Sequence, residues 1–133
     1  MTGRLAYLDS SAFVKLVVHE PESSALRAAL VRWPDRVSAT LLRTETVRAL
    51  RRTGNEADIP KARALVRKVG LIRVDEPLLD RAGDLDPPDL RTIDAIHLAT
   101  ALGLSEELGV MFVYDARLRE AALAAGLEVA SPT

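Results

Sequence analysis

The sequence predicts an α/β fold: one domain over residues 1–133, with a central parallel β-sheet flanked by helices on both faces. Three observations lead there. Leu5–Leu8 and Val110–Val113 are short apolar runs without alternation, the mark of strands covered on both faces. Segments with helical spacing separate the strand candidates, as the crossovers of a parallel sheet require. An apolar content of 48% in 133 residues suits a single core that buries roughly two-thirds of the unfolded surface.

The elements follow in order. Leu5–Leu8 is the first strand, and Ser10–Ser11 opens a helix to Val18. Pro21 starts a second helix, Glu22 to Arg32, which Trp33-Pro34-Asp35 ends, and Val37 lies in a short strand. Thr40–Arg52 and Pro60–Val69 are two helices joined by the turn Thr53-Gly54-Asn55, with Gly70 as the C-terminal stop. Leu71–Val74 is a strand, Pro77–Ala82 a short helix and Asp84–Arg91, with two prolines, a loop. Thr92 caps a long apolar helix. Val110–Val113 is a strand, Ala116–Ala125 a helix stopped by Gly126, and Leu127–Val129 the last strand. No internal repeat or linker interrupts the pattern.

Composition removes several kinds of chemistry. The chain has no cysteine, which excludes disulfides, thiolate catalysis and thiolate zinc sites, and His19 and His97 do not form a paired metal motif. The N-terminus lacks the apolar run of a signal peptide and no stretch reaches the roughly 20 residues that span a bilayer, so a soluble cytoplasmic protein is expected. The net charge of -1 is unevenly spread. Between Arg43 and Lys68 eight basic residues face three acidic ones, making this helical pair cationic.

In an open α/β sheet ligands bind beyond the carboxyl ends of the strands. Asp9 directly follows the first strand and Asp115 the run Val110–Tyr114; since each also precedes a helix, N-capping is the simpler explanation for either one. Asp94 is the single charge in Thr92–Leu102, where its favourable position at a helix N-terminus is the simpler explanation. Glu45 lies about 40° from Leu41 on a helical projection, along the apolar face, with a pairing to Arg48 as the alternative. If Asp9, Glu45, Asp94 and Asp115 converge, their repulsion raises some of their pKa values or calls for a cation. A hard ion such as Mg²⁺ or Mn²⁺ suits a set of oxygen donors. Such an ion activates water, polarises a phosphoryl oxygen and stabilises a leaving oxyanion, as in nucleases and phosphatases.

Four segments then carry a family resemblance: Asp9-Ser10-Ser11-Ala12-Phe13-Val14-Lys15-Leu16, Thr44-Glu45-Thr46-Val47-Arg48-Ala49-Leu50, Asp94-Ala95-Ile96-His97-Leu98-Ala99-Thr100-Ala101 and Tyr114-Asp115-Ala116-Arg117-Leu118. In order, spacing and total length they resemble the four acidic blocks of the PIN domain, in the subgroup of VapC-type toxins from toxin–antitoxin pairs. The resemblance covers nearly the whole chain. It implies a metal-dependent endoribonuclease, a homodimer, held inactive by a cognate antitoxin. Carried over block by block, it makes Asp9 and Asp94 the main metal ligands, while Glu45 and Asp115 complete the cluster and orient water. Ser11 becomes a helper beside the first acid, although capping of the following helix explains it as well. Many relatives have Thr or Ser two residues before the fourth acid, where this chain has Val113. His97 reads as a packed core residue able to hydrogen-bond the cluster.

The implied chemistry is in-line hydrolysis of an RNA phosphodiester, with Arg43–Lys68 steering the RNA backbone, forming a solvated face, or serving the dimer and the antitoxin. For the last role Leu41, Leu42, Leu50, Leu65 and Val66 form an apolar stripe that core packing explains equally well. A receiver domain is a poor match, because it needs paired acids at the first strand and a late lysine, whereas the lysines here are Lys15, Lys61 and Lys68. A haloacid-dehalogenase-type phosphatase needs an acid at position 11, which is Ser11. The remaining alternative is a catalytically weak PIN module that binds RNA or a protein without cleavage.

Overall fold

A computed structural model describes residues 3–133. Five strands, β1 (Leu5–Leu8), β2 (Arg36–Ala39), β3 (Gly70–Ile72), β4 (Leu108–Phe112) and β5 (Val129–Ala130), form one sheet in the order β3-β2-β1-β4-β5. Every pairing is parallel. Among the described residues there are seven α-helices: α1 (Ser10–Val17), α2 (Ser23–Leu30), α3 (Leu42–Arg52), α4 (Ile59–Val66), α5 (Glu76–Gly83), α6 (Thr92–Gly103) and α7 (Ala116–Ala124). No helix is long and apolar enough to cross a membrane among the described residues.

The strand side chains divide the core in two. Ala6, Leu8, Val110 and Phe112 pack with Phe13, Leu26, Leu30, Leu42 and Leu50 from α1, α2 and α3. Tyr7, Met111 and Val113 face the other way, against Leu78, Leu98, Leu118 and Ala122 from α5, α6 and α7. This is the period of two expressed in strands buried on both sides.

Several boundaries differ from the sequence reading, most of them where a local hydrogen bond takes the chain elsewhere. The helix expected to reach Val69 ends at Val66, where Lys68 and Val69 donate backwards to Leu65 and Val66 over three residues and tighten the last turn. Gly70 therefore does not stop a helix but begins β3 beside Val37. The helix expected from Thr40 starts at Leu42, and the Thr40 hydroxyl instead accepts from the backbone N–H of Val74, 3.3 Å away. Thr92 is the first helical residue of α6 rather than its cap; Arg91 holds the cap position, its carbonyl accepting from Ala95 N–H, and its side chain caps no backbone N–H. Finally, Leu127 is not in β5. Its N–H donates to Ala122 and that of Gly126 to Leu123, closing α7 in a Schellman turn around Gly126 at φ +90°.

The apolar stripe considered for a partner helix is mostly interior: Leu42 and Leu50 are fully buried and Val66 nearly so, while Leu41 and Leu65 are half-buried.

Candidate active site

β1 and β4 lie side by side, and the chain leaves them toward opposite edges of the sheet, so the crevice beyond their carboxyl ends is a topological switch point. Asp9 follows β1 and is buried, its backbone N–H donating to the Phe112 carbonyl of β4. Asp115 lies just beyond β4, and the first turn of α6 brings Asp94 to the same place. Asp9, Asp94 and Asp115 line one pocket of about 350 Å³, together with Ser10, Ser11, Lys15, Arg52 and Arg91.

Capping and clustering coexist. Asp9 Oδ1 accepts from Ala12 N at 2.9 Å, and Asp115 Oδ1 from Leu118 N at 2.9 Å, so each caps its helix. Ser11 does not cap. Its hydroxyl lies 2.7 and 2.8 Å from the two Asp9 carboxylate oxygens and accepts from Tyr114 N at 3.0 Å, clipping the exits of β1 and β4 together around the acid.

Burial, the largest influence, pushes the Asp9 carboxyl up to about 6, against the lowering effect of the Ala12 and Ser11 hydrogen bonds. Asp94 is also raised, first by burial and then by Asp115, with Arg91 opposing. The guanidinium of Arg91 bridges the two acids: Nε lies 3.2 Å from Asp94 Oδ2 and Nη2 lies 3.2 Å from Asp115 Oδ2. It is thus the cation beside the cluster. Lys15 also lines the pocket but pairs with Glu22 at 3.0 Å and lies over the Tyr114 ring.

Glu45 makes no pair with Arg48. Instead Oε1 lies 2.6 Å from His97 Nε2, and Oε2 accepts from Ser10 Oγ at 3.1 Å. His97 is buried on α6, with Nδ1 2.6 Å from the Tyr7 hydroxyl. Val113 is buried and offers no hydroxyl at its position.

The donor set suits a hard cation. The pocket aspartates offer only oxygen, Ser11 adds a hydroxyl, and His97 is committed to Tyr7 and Glu45. Among the described residues, no three His, Asp or Glu side chains gather closely enough to enclose a metal. The protein therefore offers a partial shell, the arrangement suited to an ion that takes one or two carboxylates and keeps its waters.

A second concave surface lies between α3 and α4. Arg43, Arg48, Arg51, Arg63 and Arg67 surround a groove of about 440 Å³ with Val47, Ala62 and Val66. Among the described residues none of these arginines pairs with an acid.

Two participants escaped the sequence reading. Arg91 was detectable in part, since it stands three residues before Asp94, but its contact with Asp115 spans 24 residues. The link from Tyr7 to His97, 90 residues apart, had no sequence signal.

Known proteins resemble this chain in sequence and in fold. The PIN domain family matches residues 6–124. The chain is 51% identical to ribonuclease VapC46 of Mycobacterium tuberculosis over 127 residues, covering 96% of this chain and 97% of that protein. It is 35% identical to ribonuclease VapC47 of the same species, again over 96% and 97%. Its fold resembles M. tuberculosis VapC20, described as a sarcin-ricin loop cleaving toxin, with a TM-score of 0.73 at 16% identity over 92% and 95% of the two chains. It also resembles a chain of a toxin-antitoxin complex from Klebsiella pneumoniae, with a TM-score of 0.70 at 20% identity over 96% and 98%.

Proposed function

The chain belongs to the PIN domain family and is a VapC-type toxin ribonuclease, and from that premise we propose that it is a divalent-metal-dependent endoribonuclease of a toxin–antitoxin pair. The observation that carries the reading is the meeting of Asp9, Asp94 and Asp115 in one pocket at the sheet's switch point. Asp9 and Asp94 would be the main ligands to Mg²⁺ or Mn²⁺, with Asp115 and Glu45 completing the set and orienting water. A bound divalent ion there supplies Lewis-acid activation of water and neutralisation of phosphoryl charge.

The remaining work belongs to the chain's own groups. Ser11 holds the Asp9 carboxylate in place and ties it to Tyr114. Glu45, fixed by His97 and Ser10, presents a carboxylate that can orient water or take a proton. The unpaired arginines of the α3–α4 groove offer the RNA backbone a sequence-tolerant cationic track toward an otherwise repulsive site.

The partners follow the same reading: an RNA substrate, a cognate antitoxin and a second copy of this chain. Support for a homodimer comes from Leu79 and Ile93, about 45% exposed on α5 and the first turn of α6. Leu79 also rims a cleft with Leu85, Pro87 and Pro88. The site of action is the cytoplasm, where the RNA and the antitoxin are made.

To test the activity, purified protein is incubated with RNA in Mg²⁺, in Mn²⁺ and in EDTA, alongside Asp9→Asn and Asp94→Asn. Cleavage in the metal lanes of the wild type alone is expected. Equal cleavage in every lane points to a contaminant and overturns the reading, while binding without cleavage favours the non-cleaving module.

A further inference from the structure

Arg91 is the residue whose position the fold and the family leave unexplained. It sits in extended conformation at the entrance to α6, with its side chain 71% exposed, and yet its fork reaches back to two aspartates of the acid pocket. The other cations near the pocket do not do this. Lys15 is held by Glu20 and Glu22, Arg52 lines the pocket without an ion pair to its acids, and the arginines of the α3–α4 groove lie on another surface.

We propose that Arg91 is a displaceable counter-cation. It bridges Asp94 and Asp115 when the pocket holds no divalent ion, and it is released by metal binding to grip a phosphate of the incoming RNA. This rests on the ribonuclease reading and names a residue that couples its metal to its substrate.

Three physical points support the exchange. Both Arg91 contacts are 3.2 Å, at the long end for charge-assisted hydrogen bonds, and the guanidinium is mostly in water, so the bridge is weak and readily surrendered to a doubly charged ion. At Asp115, Arg91 takes the oxygen that helix capping leaves over. Asp115 uses Oδ1 for Leu118 N, leaving Oδ2 as the oxygen for which a metal and Arg91 compete. Once freed, a guanidinium anchored at the pocket rim is suited to an RNA phosphate, because its planar fork matches two phosphate oxygens.

The coupling gives a sign that a fixed cation does not. A bystander arginine near the RNA helps binding equally with and without metal; one tied up by the acids helps only after metal has released it. The experiment measures Mn²⁺ uptake by the full chain from the loss of the free-ion electron paramagnetic resonance signal, in wild type, Arg91→Gln and Arg91→Lys. In parallel, binding of a fluorescent mixed-sequence single-stranded oligoribonucleotide is followed by anisotropy in EDTA and in Ca²⁺, with RNA integrity checked on a gel.

Arg91→Gln is expected to bind Mn²⁺ about tenfold more tightly, with Arg91→Lys in between, since lysine keeps the charge but cannot fork across two carboxylates. In Ca²⁺, Arg91→Gln binds the oligoribonucleotide several-fold more weakly, and its dependence of log K on log salt is shallower by about 0.7. In EDTA the two proteins bind it alike. Equal Mn²⁺ affinity in wild type and Arg91→Gln overturns the proposal and leaves the ribonuclease reading standing. So does an RNA-binding defect of the same size in EDTA and Ca²⁺. Absence of Mn²⁺ uptake by all three proteins defeats both, and is told apart by its failure in the wild type.

Discussion

His97 Nε2 lies 2.6 Å from Glu45 Oε1, joining α6 to α3 across 52 residues at the carboxyl edge of the sheet. On the other side of the ring, Nδ1 is 2.6 Å from the Tyr7 hydroxyl of β1. Burial drives the Tyr7 phenol pKa far above its ordinary value, so the phenol keeps its proton. It donates to Nδ1, and Nε2 then carries the hydrogen that Glu45 accepts. The fold thus uses a core histidine to aim an acid.

That geometry predicts the behaviour of variants at position 97. His97→Ala removes the donor to Glu45 and leaves a void between two helices and a strand, lowering kcat by about tenfold or more with a smaller change in KM. It also destabilises the fold by about 2–4 kcal/mol, as expected for loss of a buried side chain together with its hydrogen bonds. Tyr7→Phe keeps the packing and frees the ring, so its loss of kcat is smaller. Steady-state kinetics and urea unfolding check both; a change confined to KM would contradict the positioning role.

The Asp9 carboxyl, raised to about 6 by burial, makes the metal-free protein sensitive to pH. The folded state holds this proton more tightly than the unfolded chain, whose ordinary value is 3.8. The stabilisation is therefore fully present below pH 4 and is lost as pH rises through about 6, by at most about 3 kcal/mol at 1.36 kcal/mol per unit. In EDTA, wild-type stability relative to Asp9→Asn should improve by several degrees in Tm between pH 7.5 and pH 5. Differential scanning calorimetry of the pair reads it, and parallel pH profiles would contradict the burial argument.

The α3–α4 groove makes a prediction about salt. Replacing Arg48, Arg51 and Arg63 together with alanine removes three unpaired cations. RNA affinity should fall at low salt, and the slope of log K against log salt should become shallower by about 2, at about 0.7 per lost phosphate contact. Mn²⁺ affinity should stay the same, because the acid pocket shares none of these residues. Unchanged RNA binding would make the groove a solvated face or a protein interface.

Gly109 on β4 predicts a purely structural effect. A Cβ there would overlap the Trp33 ring and the Gly3 carbonyl, so Gly109→Ala must push the indole and the Gly3 backbone away. A cost of about 1–3 kcal/mol is expected from such overpacking, measurable by chemical denaturation. The acid pocket lies at the opposite end of the strands, so activity per folded molecule should be retained.

Much of the fold was legible because its signals are local. Buried strands gave apolar runs, helices gave their spacing, and Gly54 and Gly126, both at positive φ, ended α3 and α7 where turn chemistry placed them. Boundaries were less legible wherever a backbone group had a choice of partner, as at Thr40, Val69 and Leu127. The acids Asp9 and Asp115 were visible from their place after strands. Glu45 was visible only as a carboxylate on an apolar helix face, and its partner proved to be His97 rather than its neighbour Arg48.

By itself, then, the order of residues determined the sheet-and-helix alternation, the absence of soft metal ligands and the four acidic positions, since periodicity and side-chain chemistry act over a few neighbours. Only the tertiary structure decided that Asp9, Asp94 and Asp115 share a pocket, that Glu45 meets His97, and that Arg91 lies across two of the aspartates. Apart from Arg91 and Asp94, which are three residues apart, those relations join residues from about 20 to more than 80 positions apart. They depend on strand order and on how helices seat on the sheet, through packing and hydrogen-bond choices that no local stretch of sequence encodes.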